Sequence, residues 1–447
     1  MFIIFIIIIT CLGITPSFIN KNIKKPIPVP ENAKRVLGKI RGFFGAIGPD
    51  VEMSKADSLF NLFLGNGIIH GLFFDNGKLT FVRHLIQTEK VIRKSRPIKT
   101  PMQLLTEIGL HKAGLAPNPM GVANTAILHS PSGTYAMFER DLPHQIEVDF
   151  ENYSVNTLGK FDVKNVPYLS GHSKFDNNLI KSLDYNVMEN LAYYREFDPP
   201  FSLRSSKTFT TKYLPIIHDF ISTEKGTVVF ADCPFDMSKT LDKGFPVFFD
   251  NNKPTFFHVV KNGGRTLLDT NHSFYIFHYG AAKENRTHVE FYAPIYENMD
   301  FSKIDIRGKY RRITLDIRSG ITQIEGSTNL DQYNLDFPII CGNYTILRNL
   351  DLAKKRIDGF VLCDGLEIRD TLFFDDRNFC GEPSLIHDMD GENYLVSFVY
   401  CGTSNNSFCI LIRILEDGRL DKEYIEIPMG EDVGIVFHST FILPPNS

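Results

Sequence analysis

Thirteen histidines are scattered through 447 residues, and neutral imidazole is the commonest metal ligand among side chains. They form no compact ligand motif. HExxH and His-x-His are absent, as are GxSxG, a Walker loop and a GxGxxG that leads into a helix. A metal centre in this chain therefore needs ligands from strands far apart in sequence. Four histidines stand in distinctive settings: His172 in Leu169-Ser170-Gly171-His172-Ser173-Lys174, His218 in Pro215-Ile216-Ile217-His218-Asp219-Phe220, His278 after Phe274-Tyr275-Ile276-Phe277, and His438 after Ile435-Val436-Phe437. The last three follow apolar residues, which places an imidazole at the buried end of a strand. Taken singly, each is better read as a core histidine bonded to backbone.

The elements that must position these rings read as short strands. The clearest hairpin runs from Gly67 to Gln87, turning at Asp75-Asn76-Gly77, where Asn-Gly favours the positive φ values of a tight turn. Similar turns fall at Ser132-Gly133, Lys225-Gly226, Asp390-Gly391 and Asp417-Gly418. Repeated short strands with turn signals predict an all-β sandwich, barrel or propeller. The best helical pattern covers Lys99 to Ala113, with Met102, Leu105 and Ile108 at suitable spacing. Pattern alone gives one large all-β domain.

Composition sets the outer limits. Hydrophobic residues make up 43% and charged residues 22%, as in globular proteins. The formal net charge is −4 and no long basic block occurs, which excludes a nucleic-acid partner. Seven cysteines without a CxxC predict reduced thiols rather than a disulfide framework or zinc site. Sequons at Asn152, Asn271, Asn285, Asn343 and Asn405 do not decide the compartment, and no obligate protein partner is evident.

Residues Phe2 to Ile14 are almost wholly apolar and precede Lys21, Lys24 and Lys25. The run is shorter than the roughly 20 residues a membrane-spanning helix needs, and it lacks the basic residues that usually open a signal peptide. A signal peptide, a short membrane anchor and an apolar tail packed on the protein all remain open. We divide the chain into this segment, residues 1–25, and a single domain over residues 26–447. The location expected is membrane-associated or secretory, and otherwise cytoplasmic. Pro26, Pro28 and Pro30 predict an extended spacer after the lysines.

A string of short motifs then carries a resemblance. Gly42-Phe43-Phe44-Gly45-Ala46-Ile47-Gly48-Pro49, Gly65-Asn66-Gly67-Ile68-Ile69-His70-Gly71, Ala123-Asn124-Thr125-Ala126 and Phe138-Glu139-Arg140-Asp141-Leu142-Pro143 come first. Gly171-His172-Ser173-Lys174, Ile217-His218-Asp219-Phe220, Phe277-His278, Gly381-Glu382-Pro383 and the strand Asn393 to Tyr400 follow. In this order, from about Gly42 to Leu443, the chain resembles the carotenoid cleavage oxygenase family, which includes stilbene-cleaving enzymes and the retinoid isomerase of the eye.

The resemblance implies a seven-bladed β-propeller with one Fe(II) on its axis, bound by His172, His218, His278 and His438. It implies that Glu139, Asp336 and Glu382 orient His218, His278 and His438, and that Thr125 lies beside the open iron position. His70 matches a motif but is read as structural, and His258, His272 and His288 are the alternatives if the register differs. Two departures stand out. Asp336 replaces a Glu and is one methylene shorter, so it needs backbone adjustment to reach its ring. Ala281-Ala282-Lys283-Glu284 replaces an Asn-Ala-aromatic-Glu run.

The implied reaction is oxidative cleavage of an alkene in an apolar polyene by O2, giving two carbonyl fragments, with a membrane surface as a further partner. Imidazole suits iron, and no side chain needs to act as nucleophile or general base, which fits the absence of a triad. The rival readings are a non-oxidative isomerase using the same iron and a propeller kept as a binding module.

Overall fold

The computed structural model describes residues 22–50, 65–95, 98, 101–237, 247–299, 307–351, 356–374, 378–401, 406–431, 433–434 and 436–445. Residues 1–21, Asn405 and Ile435 lie outside them. The regular elements of the described residues are mostly strands, arranged as seven sheets of four or more strands and one two-stranded ribbon. The seven sheets are the blades of a β-propeller. Their first strands in chain order begin at Ile23, Ala126, Lys174, Ile221, Tyr275, Leu335 and Asn378. The ribbon pairs Phe235–Asp236 with Phe248–Phe249 and is inserted within the fourth blade.

Within each blade neighbouring strands pair antiparallel, many of them as hairpins closed by short turns. In the first, Asn66–Asp75 and Lys78–Leu85 pair across a turn in which Asn76 has φ 48° and Gly77 φ 82°, as the Asn-Gly signal predicts. Strands such as Asn66–Asp75 and Val228–Asp232 are buried on both faces, because each blade is covered by the next. That explains why they read as continuous apolar runs rather than as alternation. The core is accordingly a set of layers between blades. One layer joins Val229, Phe257 and Val259 of the fourth blade to Phe291 and Ile313 of the fifth. Another joins Phe44, Leu72 and Phe81 of the first to Val396, Phe398 and Leu411 of the seventh.

The ring closes between the chain's two ends. Strand His438–Ile442 pairs with Arg41–Asp50 in the register Ile47↔His438 to Phe43↔Ile442. The first blade thus contains the last strand among the described residues, and closure fixes His438.

The boundary set at residue 25 needs correction. Ile23–Ile27 is a strand paired with Lys78–Leu85 at the edge of the first blade, and Lys25 Nζ meets Glu431 Oε1 at 3.0 Å. Pro26 fits there because an edge strand can lack one amide donor. The blade therefore begins ahead of the proline stretch. The expected helix is present as Pro101–Lys112. Cys233, Cys341, Cys363, Cys380 and Cys409 are buried free thiols.

Candidate metal centre

Four blades each bring one histidine to the same place from their innermost strand. His172 lies two residues before Lys174–Asp176, His218 three before Ile221–Ser222, His278 two after Tyr275–Ile276, and His438 opens His438–Ile442. Each of these strands forms an edge of its sheet. One ring nitrogen from each histidine lies within 4.8 Å of the others. His172 Nε2 is 2.9 Å from His218 Nε2, and the ring of His172 stands 4.3, 5.4 and 4.4 Å from those of His218, His278 and His438. The four motif contexts in the sequence thus converge on one cluster.

The other three blades supply carboxylates. His218 Nδ1 meets Glu139 Oε1 at 2.6 Å, His278 Nδ1 meets Asp336 Oδ1 at 2.9 Å, and His438 Nδ1 meets Glu382 Oε1 at 3.0 Å. Each ring donates through Nδ1 to its carboxylate, which leaves the Nε2 lone pair directed away from it. Among the described residues no carboxylate bonds the His172 ring. His278 Nε2 is buried and has no hydrogen-bond partner, an orphan of the kind a metal ion satisfies.

The carboxylates are themselves held. Asp336 Oδ2 accepts from the Tyr296 hydroxyl at 2.6 Å and Oδ1 from the Phe337 amide at 2.8 Å. Glu382 Oε2 accepts from the Ser439 amide at 2.6 Å, and Tyr185 donates to Glu139 Oε2 at 3.5 Å. Burial alone would raise the Asp336 carboxyl, but the His278 ring, Tyr296 and the Phe337 amide outweigh it and hold it at about 2. Burial, reinforced by the other three rings, pushes His172 well below its ordinary value. Burial also lowers His278, against the pull of Asp336. For His172 and His278 this favours the neutral imidazole, which is the form a metal binds.

Asp336 reaches its ring by backbone adjustment. The strand Leu335–Cys341 shifts register between Asp336 and Ile339, and Phe337 adopts φ 59°. That turn lays the Phe337 ring 4.5 Å from His278 and 5.5 Å from His438. Phe277 stands edge-on to His218 at 5.6 Å. These two rings close off the His278 side, whereas His172 and His218 keep an edge toward solvent.

Thr125 is buried beside His172: a Cβ on Gly171 would lie 2.9 Å from Thr125 Cγ2 and 3.2 Å from Glu139 Cγ. Glycine at 171 is what lets the His172 turn approach this closely. The alternative histidines lie outside the cluster. His258 is buried against Asp232 at 3.2 Å, and His288 meets Thr287 and Asp316. His70 is fully buried and accepts from the Gly434 amide at 3.3 Å, a structural role near the closing strand. Lys283 is exposed on Ala282–Glu284, paired with Glu290, so this departure does not touch the four rings.

Sequence reasoning missed Tyr296, Phe337 and Arg348. The signal for Arg348 was a cation inside the apolar run Ile346-Leu347-Arg348; Tyr296 had none, because its partner lies 40 residues away.

Residues 38–443 match the family model described as retinal pigment epithelial membrane protein. Among curated proteins, the chain is 25% identical over 432 residues to 9-cis-epoxycarotenoid dioxygenase NCED6, chloroplastic, of Arabidopsis thaliana, covering 86% of this chain and 73% of that one. It is 22% identical over 445 residues to lignostilbene-alpha,beta-dioxygenase isozyme III of Sphingomonas paucimobilis, covering 88% and 90%. Its fold is similar to that of Pseudomonas brassicacearum lignostilbene dioxygenase, with TM-score 0.77, 19% identity and coverage of 96% and 97%. A variant of Synechocystis apocarotenoid oxygenase gives 0.75, 17%, 96% and 98%.

Proposed function

The chain belongs to the retinal pigment epithelial membrane protein family, and on that premise we propose that it is an iron(II)-dependent dioxygenase that splits a C=C bond of a carotenoid, apocarotenoid or stilbene-like substrate into two carbonyl products. The observation that carries this reading is the set of three carboxylate–imidazole pairs around one cluster of four histidines. Four neutral nitrogen donors suit iron, and carboxylates on the far ring nitrogens are the usual support of histidine ligands.

His172, His218, His278 and His438 would hold the ion. When bound, Fe(II) supplies the site at which O2 is activated for attack on the alkene. The protein's own part is positioning. Glu139, Asp336 and Glu382 fix the tautomer and direction of three rings, and Phe277 and Phe337 shield the inner side from water. Thr125, packed against the turn before His172, borders the remaining approach. No side chain in the cluster is required to carry a proton to the substrate.

The names of the relatives support the substrate class: they are carotenoid- and lignostilbene-cleaving dioxygenases. Residues 1–21 are the part of the chain we assign to export or membrane association, on the apolar run Phe2 to Ile14. Among the described residues, no helix is long and apolar enough to cross a membrane.

The test is incubation of the ferrous protein with an apocarotenoid or stilbene under 18O2. The label should appear in aldehyde or ketone fragments of the cleaved chain. A geometrically isomerised substrate without label would support the isomerase reading instead, and iron retention with no turnover would support the binding-module reading.

A further inference from the structure

Arg348 lies in strand Tyr344–Asp351, directly across from Asp336 in the register of the sixth blade. It is buried, and its guanidinium carbon stands 3.7 Å over the Phe337 ring. Nη1 donates to the Cys380 carbonyl at 3.3 Å, two residues ahead of Glu382. Beyond Phe337 lie the rings of His278 and His438. Burial lowers the guanidinium's pKa, while Cys380, Glu382, Asp336 and Tyr296 act against that. Arginine nevertheless stays charged in proteins. A buried cation is therefore stacked behind two of the three carboxylate–imidazole pairs. A further buried acid in this blade, Asp358, accepts from Asn349 at 2.9 Å.

We infer that Arg348 is a positioning residue that tunes the centre toward the ferrous state. The inference rests on the iron reading above. A carboxylate hydrogen-bonded to a ligating imidazole raises the basicity of that ligand, and more basic ligands favour the more highly charged ion. A cation facing Asp336 and Glu382 draws charge back from both pairs. It also repels a trivalent ion more than a divalent one. At an effective dielectric of about 20, one buried charge is worth on the order of tenfold in the ferric-to-ferrous ratio. Glu139 and His218 are tied to each other elsewhere in the ring of blades and lie outside this effect.

The experiment is a mediator-coupled redox titration of protein loaded anaerobically with Fe(II), followed by the electron paramagnetic resonance signal of the ferric ion. One electron leaves each iron for the mediator. At fixed potential, Arg348→Gln should show a ferric-to-ferrous ratio about tenfold higher than the unaltered chain, and Arg348→Lys should stay close to it. Arg348→Met, which fills the space without charge, replaces the Gln variant if circular dichroism shows that one unfolded. Equal ratios in the charged and uncharged variants, whether unchanged or shifted together, would overturn the inference and leave a packing role. Failure of the unaltered chain to bind iron at the histidines would instead overturn the iron reading, and this inference with it.

Discussion

Asp336 meets the His278 ring from a strand that bulges immediately after it: Nδ1 to Oδ1 is 2.9 Å, and the next residue, Phe337, turns to φ 59°. The bulge does three things at once. It brings a short carboxylate up to the ring, returns the Phe337 amide to that carboxylate, and lays the Phe337 side chain over His278. The site is thus built by backbone shape as much as by side-chain identity.

Asp336→Asn should lower iron affinity about 10–100-fold, the usual cost of losing a partner behind a metal-binding histidine. Asp336→Glu should also weaken the site. The extra methylene must fit a buried position whose carboxylate already bonds Tyr296 and the Phe337 amide, and overpacking of this kind costs about 1–3 kcal/mol. Iron titration in the presence of a competing chelator reads both. Unchanged affinity in Asp336→Asn would show that the carboxylate does not support the metal.

Gly171→Ala should disturb His172 through Thr125, since the added Cβ would stand 2.9 Å from Thr125 Cγ2. We expect iron binding at least about tenfold weaker. Thr125→Ala in the same chain removes the clash and should restore most of it. No restoration would place the strain at Glu139 instead.

Deletion of residues 1–21 should leave the circular dichroism and melting temperature of the chain unchanged and move it from the membrane pellet to the supernatant. Deletion through Ile27 should lower stability, because it strips the edge strand and the Lys25–Glu431 ion pair. Equal melting temperatures for the two truncations would show that the edge strand contributes nothing.

Stability should fall between pH 6.5 and pH 4. Burial lowers both His84 and His144 from 6.5 to about 4. Below pH 6.5 the unfolded chain takes up protons that the folded chain refuses, so acid favours unfolding; above pH 6.5 neither form is protonated and stability is full. Each histidine is worth on the order of 1–3 kcal/mol. Urea midpoints at pH 7.5 and 5 should differ, and His84→Gln should narrow the gap. A gap as wide in His84→Gln as in the unaltered chain would remove His84 from this account.

How much of this was legible in the sequence depends on the range of the interactions. The turn at Asn76-Gly77 and the helix Pro101–Lys112 are local and read directly. The number of blades is not local. Alternation and turns gave only an all-β domain, and the count of seven came from the resemblance. The four histidines and Glu139, Asp336 and Glu382 were legible because each sits in a short motif. Tyr296, Phe337 and Arg348 were not, because what they do depends on the bulge at Asp336 and on the register between two strands. The strand Ile23–Ile27 was missed because lysines and a proline made it read as a spacer, while its pairing partner lies more than 50 residues on.

The most direct test of the central claim is metal analysis of purified protein loaded anaerobically with Fe(II), alongside His218→Ala. The account predicts about one iron per chain, since four imidazoles fill one site. It predicts loss of that iron in His218→Ala, where three rings remain and Glu139 loses its partner. Full iron loading in the variant, or zinc bound at cysteines in its place, would contradict it.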